Sequence, residues 1–172
     1  LHPEIPHFQT EFYRGDWIAL GGLIYKSFHD ENVAAYLYWD LIWGETKGLV
    51  TLENPWSSGS WTDPSKGYII NKEFYSFKQF SAFIHQGWQR IGTNISGDDG
   101  KGMSFFSPDR DSAAFVLVNR SDTDELEMLL SIPGYSIDAS KIYITSGEKD
   151  CDFSGSLTNS SLLIPPHSIV SW

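Results

Sequence analysis

Residues 7–39 read HFQTEFYRGDWIALGGLIYKSFHDENVAAYLYW. His7 to Glu11 follows Pro3 and Pro6, runs from apolar to polar, and reads as a strand ending at Thr10-Glu11. Phe12 to Asp16 is a loop, and Asp16 suits the N-cap of a helix that starts at Trp17. Ile18, Leu20, Leu23, Ile24 and Phe28 recur at helical spacing, which carries the helix to His29-Asp30. Val33 to Trp39 has no helix caps. Its run of Ala, Tyr and Leu is continuous rather than alternating, the pattern of a strand buried on both faces. Strand, helix and strand in this order form a βαβ unit with a parallel sheet.

The rest of the chain divides around this unit. Gly44 to Lys66 reads as a long loop with Gly, Pro, Ser and several acids. Asn71 is placed to cap a helix of about fourteen residues. Phe74, Phe77, Phe80, Phe83 and Ile84 would form its apolar face, and Gly87 would stop it. Past Gly87 the texture changes to short strands: 103–106, 113–118, 126–132, 142–145, 162–164 and 168–172. Turn clusters such as Ser107-Pro108-Asp109 and Pro133-Gly134 separate them, as in an antiparallel sandwich. The expected domains are therefore 1–87, α/β, and 88–172, all-β.

Composition excludes several functions. The 172 residues carry 22 Asp+Glu against 12 Lys+Arg, a net charge of −10. A nucleic-acid partner needs clustered Lys and Arg, and so does an anionic membrane surface. Neither is expected. A complete (β/α)8 barrel needs at least about 200 residues, which this chain lacks. The single cysteine, Cys151, excludes an internal disulfide framework and a Cys-based zinc site. No apolar run reaches the roughly 18 residues of a membrane span. No signal peptide is expected within this sequence, and the start at Leu1 reads as the interior of a longer protein or a processed product. The 7 Trp, 8 Tyr and 11 Phe supply flat apolar faces, suited equally to sugar stacking and to core filling.

The chain has no Gly-rich phosphate loop, no Ser nucleophile elbow and no HExxH, and its five His lack metal-ligand spacing. No cofactor or metal is expected. His85 reads as serving the helix end at Gly87. Carboxylates remain as the chemical candidates. Glu11 ends the first strand, and catalytic groups of barrels sit at strand C-termini. Asp40 follows the second strand; it either pairs with a neighbouring loop or accepts from sugar hydroxyls. Trp39 and Trp43 sit beside it, and Tyr13 follows Glu11. Trp56 and Trp61 lie in the long loop, where an exposed Trp needs something to pack on or bind. The Asn-x-Ser triplets at Asn94, Asn119 and Asn159 arise readily by chance in Ser-rich turns.

An ordered set of segments resembles glycoside hydrolase family 30. It comprises Gln9-Thr10-Glu11-Phe12, Ala35-Tyr36-Leu37-Tyr38-Trp39, Gly67-Tyr68, the run Glu73 to Ile91, and Pro165-Pro166-His167-Ser168-Ile169-Val170. The resemblance covers nearly the whole chain. It implies the last βαβα part of a (β/α)8 TIM barrel, with strands 7 and 8 and helices 7 and 8, followed by an antiparallel β-sandwich side domain. It implies that Glu11 is the nucleophile of a retaining glycosidase. The family's acid/base follows an Asn on the fourth strand. Glu53-Asn54 has the reverse order and is not given that role, so the acid/base lies outside this chain. Tyr13, Trp39, Trp43, Trp56, Trp61 and Asp40 are the expected substrate contacts.

The Glu-Phe-Tyr run and the Tyr-x-Tyr-Trp strand look most like the xylanase side of the family. A family Arg that holds glucuronate branches has no counterpart in Asp40 to Gly48, which contains only Lys47. A secreted, xylan-active enzyme without strict glucuronate dependence is expected. It would be inactive until the N-terminal barrel portion, as a separate or cleaved chain, or a second copy completes it. The alternatives are a non-catalytic carbohydrate-binding sandwich and a β-glucan or glucosylceramide hydrolase of the same family.

Overall fold

The computed structural model describes residues 4–12, 15–43, 48–52, 67–95, 100–135, 141–156 and 161–172. Two units divide the chain, Leu1–Tyr75 and Ser76–Trp172.

In the first unit, β1 (Phe8–Phe12) and β2 (Ala35–Tyr38) pair in parallel around α1 (Trp17–His29). The helix starts where the sequence places it. The Asp16 carboxylate accepts from the Ile18 N–H at 2.9 Å and the Ala19 N–H at 3.1 Å, satisfying two otherwise orphaned donors. Lys26 and His29 occupy the last turn, where positive charge complements the helix dipole. Ile18, Leu20 and Ile24 form the buried stripe of α1. Each such side chain contributes about 1.5–3 kcal/mol by leaving water.

The second strand departs from expectation. Only Tyr36 in β2 is buried; Leu37 is 54% exposed. Covering both faces of a parallel strand takes elements on each side, and α1 packs against β2. The expected long loop is also corrected in part. β3 (Ile42–Trp43) and β4 (Val50–Leu52) pair in parallel, and β5 (Tyr68–Ile70) joins β4 antiparallel. Trp56, Trp61 and Glu53 lie outside the described residues.

The helix α2 (Lys72–Ser81) spans the division between the units. It is shorter than its aromatic spacing suggests and ends well before Gly87, whose φ of +84° marks a turn. Asn71 precedes it, but its side chain is committed elsewhere: Nδ2 donates to the Gly48 carbonyl and to Thr51 Oγ1, each at 2.7 Å. His85 is not at the helix end; its ring meets Trp88 edge-on at 5.4 Å. The buried face of α2 is Ser76, Gln79 and Phe80, not a row of Phe. Gln79 Nε2 donates to Thr145 Oγ1 at 2.8 Å, and the Ser171 hydroxyl donates to Gln79 Oε1. All three residues are fully buried. This satisfied polar network ties the second half of α2 to the sandwich and puts the unit boundary inside α2, ahead of Gly87.

The sandwich comprises β6 (Gln89–Ile91), β7 (Gly100–Phe106), β8 (Ala113–Asn119), β9 (Leu126–Leu129), β10 (Lys141–Thr145), β11 (Asp150–Ser156), β12 (Ser161–Ile164) and β13 (Ser168–Ser171). One antiparallel sheet has the order β11-β10-β13-β8-β7-β6; the other is β12-β9. Phe115, Leu117, Leu130, Ile142, Ile144, Leu162, Ile164, Val170 and Trp172 fill the core. Trp172 stacks on Phe115 at 5.0 Å, and the two residues exchange backbone hydrogen bonds. Asn119 ends β8 with no exposed surface. Its Nδ2 donates to the carbonyls of Asp124 at 2.8 Å, Pro165 at 2.9 Å and Ile164 at 3.3 Å. Its Oδ1 accepts from the Ser121 N–H at 3.0 Å. This clasp fixes the turn leading into the closing strand.

Candidate functional site at the ends of the parallel strands

Both parallel strands end at the same edge of their sheet, because β1 and β2 run in one direction. Glu11 and Phe12 end β1; Trp39 and Asp40 follow β2. Between the pairs Gln9–Tyr36 and Phe12–Tyr38, β1 advances three residues while β2 advances two. The extra residue is a bulge, a feature that re-aims a side chain and concentrates beside active sites. Glu11 lies on it with φ +56°. That left-handed conformation costs a non-glycine residue on the order of 1–3 kcal/mol and clusters at functional positions. Glu11 is exposed.

Trp39 is 49% exposed, unusual for so large an apolar ring. Its ring lies 6.2 Å from that of Trp43, tilted by 51°. A ladder of backbone bonds holds this segment. The Leu49 N–H donates to the Asp40 carbonyl at 2.9 Å, and the Val50 N–H donates to that of Leu41 at 2.8 Å. Gly48 is required for the close approach: a Cβ there would lie 2.6 Å from the Trp43 nitrogen and 2.7 Å from the Val50 oxygen. Asn71 secures the far side through the Gly48 carbonyl. The Trp39–Asp40 peptide is cis.

Asp40 engages the neighbouring segment through its backbone rather than its carboxylate. Its Oδ1 is buried without a hydrogen-bond partner. Desolvation holds its carboxyl above the usual aspartate range, with a backbone N–H opposing the shift. Of the expected contacts, Glu11, Trp39, Trp43 and Asp40 all belong to the C-terminal ends of the two parallel strands and the segment that follows them. Tyr13, Trp56 and Trp61 lie outside the described residues.

One titratable group went unnoticed in the sequence. Glu73, in the first turn of α2, is pushed up chiefly by burial, opposed by its own backbone N–H and reinforced by the negative charge of Asp16. Lys72 beside it lies 5.8 Å above the Trp17 ring. An acid in the first turn of a helix is a common cap, so composition alone gives no signal of this burial. Among the described residues, no three His, Cys, Asp or Glu side chains are grouped to hold a metal.

No family model and no curated protein matches the chain. Solved structures do. A GH30 endoxylanase from Clostridium papyrosolvens C71 is 23% identical with a TM-score of 0.76, over 95% of this chain and 40% of that one. The catalytic domain of GH30 xylanase C from Talaromyces cellulolyticus is 19% identical with a TM-score of 0.74, over 99% and 41%. A conserved exported protein from Bacteroides fragilis is 17% identical with a TM-score of 0.74, over 99% and 36%. The chain therefore spans about two fifths of the length of these proteins. Its fold is that of the C-terminal portion of a GH30 xylanase: the closing βαβα part of the barrel, followed by the β-sandwich side domain.

Proposed function

We propose that this chain is the nucleophile-bearing portion of a retaining glycosidase of family 30 acting on β-1,4-xylan or xylo-oligosaccharides. The observation that carries the reading is Glu11: an exposed carboxylate on a left-handed bulge, at the edge where the parallel strands end beside Trp39. Retaining hydrolysis takes two carboxyl groups about 5–5.5 Å apart, one attacking the anomeric carbon and one protonating the leaving oxygen. Glu11 is the attacking group. The acid/base comes from the N-terminal barrel portion, and its pKa is raised by the negative charge of Glu11. The rings of Trp39 and Trp43 offer the flat faces on which sugar rings stack. Tyr13, Trp56 and Trp61 extend this set, and Asp40 accepts from sugar hydroxyls.

The N-terminal barrel portion is the proposed partner, and the chain alone is proposed to be inactive. Glucuronate branches are not required, because no Arg occupies Asp40 to Gly48. No helix among the described residues is long and apolar enough to cross a membrane. Secretion is the proposed destination of a polymer-degrading enzyme, and the exported Bacteroides fragilis protein of similar fold supports it.

The test is Glu11→Gln in the complete enzyme. We expect turnover to fall by about 10³-fold or more with substrate binding retained, since the amide cannot attack. Unchanged turnover would remove the assignment. Comparing glucuronoxylan with unbranched xylo-oligosaccharides tests the specificity; a large preference for the branched polymer overturns it.

A further inference from the structure

The small sheet β3-β4-β5 begins only a few residues after β2, beside the strand end that carries Trp39. Trp43 pairs with Thr51 across β3 and β4, and Thr51 pairs with Ile69 across β4 and β5. Residues paired in this way project from the same face of a sheet. Trp43, Thr51 and Ile69 therefore form one row. The 6.2 Å between the Trp39 and Trp43 rings identifies this face as the one turned toward Trp39. Adjacent strands lie about 4.8 Å apart, so the row continues about 10 Å past Trp43. Ile69 ends it on the outer strand of the sheet and is 66% exposed. Its chain neighbours Tyr68 and Ile70 project from the opposite face. Asn71 braces the row, because its Nδ2 donates both to the Thr51 hydroxyl and to the Gly48 carbonyl at 2.7 Å.

We propose that Thr51 and Ile69 extend the substrate cleft, so that the enzyme engages a run of several sugars and favours long chains over short ones. This inference rests on the glycosidase reading of Glu11 and Trp39. Shape selects an extended ligand, since the row is one residue wide and leads away from Trp39 across three strands. Chemistry selects a neutral one. The indole of Trp43, the methyl of Thr51 and the side chain of Ile69 offer apolar contact without charge, which suits the C–H faces of successive sugars. The Thr51 hydroxyl, fixed by Asn71, adds a polar group among them. Neither Thr51 nor Ile69 touches the reacting atoms. Binding energy from remote parts of a substrate is nonetheless used at the reacting centre, so these contacts raise kcat/KM for substrates long enough to reach them.

The test compares xylohexaose with xylotriose as substrates of the complete enzyme. The ratio of their kcat/KM values should favour the longer chain. Ile69→Asp should lower that ratio about fivefold, the effect of losing one partly buried apolar contact. Ile69→Trp, which enlarges the flat apolar face, should hold the ratio at or above that of the parent. A parent ratio that does not favour xylohexaose overturns the proposal. So does an Ile69→Asp variant that slows both substrates equally or neither. A lower melting temperature for Ile69→Asp with an unchanged ratio would assign Ile69 to packing against the N-terminal barrel portion, and overturns it too. The two readings fail separately. Turnover of both substrates with a ratio indifferent to Ile69 removes only the extended cleft, whereas unchanged turnover in Glu11→Gln removes the glycosidase reading itself.

Discussion

The unit Leu1–Tyr75 and the unit Ser76–Trp172 are built from similarly apolar sequence but bury it differently. In the first, Ile18, Leu20, Ile24, Tyr36 and Leu49 are buried, while Ile5, Phe8, Phe12, Leu37, Trp39, Leu41, Tyr68, Ile69 and Ile70 are exposed. In the second the ratio reverses, and among the described residues Leu129, Tyr135, Phe153 and Leu163 are the exposed large apolar ones. Exposed apolar residues scattered singly are normal; here Phe8, Phe12 and Leu37 lie on the two-stranded parallel sheet, a kind ordinarily covered on both faces, and Tyr68, Ile69 and Ile70 are the three residues of β5. The sandwich closes its own core. The βαβ unit leaves Phe8, Phe12 and Leu37 on its surface.

This contrast can be broken or sharpened by mutation. The largest effect is expected in the sandwich core. Trp172→Ala removes the ring stacked on Phe115 and should cost about 3–5 kcal/mol in denaturant unfolding. Leu37→Ala, in the exposed half of β2, should cost less than about 0.5 kcal/mol in the isolated chain. A loss at Leu37 equal to that at Trp172 would erase the contrast. Next comes the network between α2 and the sandwich. Gln79→Leu removes its hydrogen bonds with the buried hydroxyls of Thr145 and Ser171 and should cost about 1–3 kcal/mol. An unchanged midpoint would show that α2 is not anchored there. Smaller still, Asp16→Ala removes the cap of α1 and should cost about 1 kcal/mol, read as lost helical signal before the sandwich melts.

The smallest effect depends on pH. The Glu73 carboxyl is raised above its usual value of 4.5 by burial. The folded state therefore binds its proton more tightly than the unfolded state does. Its contribution to stability is complete below pH 4.5 and is lost as pH rises through the raised folded value. Glu73→Gln should flatten the melting temperature across that window. A slope equal to that of the parent chain would assign the pH dependence to another group.

Much of this architecture is legible in the residues. Asp16 before Trp17, with Ile18, Leu20 and Ile24 at helical spacing, identifies α1 because cap and stripe agree. Thr10-Glu11 identifies the strand end, but the bulge that displaces Glu11 has no signature, since it arises from register against β2. The end of α2 is misjudged because Phe83 and Ile84 continue the periodicity, although Phe83 packs on Tyr143 at 5.2 Å from a turn. β11 is missed for the opposite reason. Its sequence, Asp-Cys-Asp-Phe-Ser-Gly-Ser, lacks an apolar face because it is an edge strand interrupted by two register shifts. The burial of Gln79 and Ser76 inverts the hydrophobic reading of their helix, and a polar network across sixty-six residues of sequence separation leaves no local trace.

The clasp at Asn119 bears on how the protein can be produced. Asn119-Arg120-Ser121 is an acceptor triplet for N-linked oligosaccharide, a modification of the side-chain nitrogen. In the folded chain that nitrogen donates to three carbonyls and has no exposed surface. A glycan attached there during synthesis would keep the turn at Asp124 and the Pro165-Pro166 turn from closing over it. A eukaryotic secretory host would thus divide its product into a native, unmodified fraction and a glycosylated fraction that cannot reach this fold, whereas a bacterial host without that pathway avoids the division.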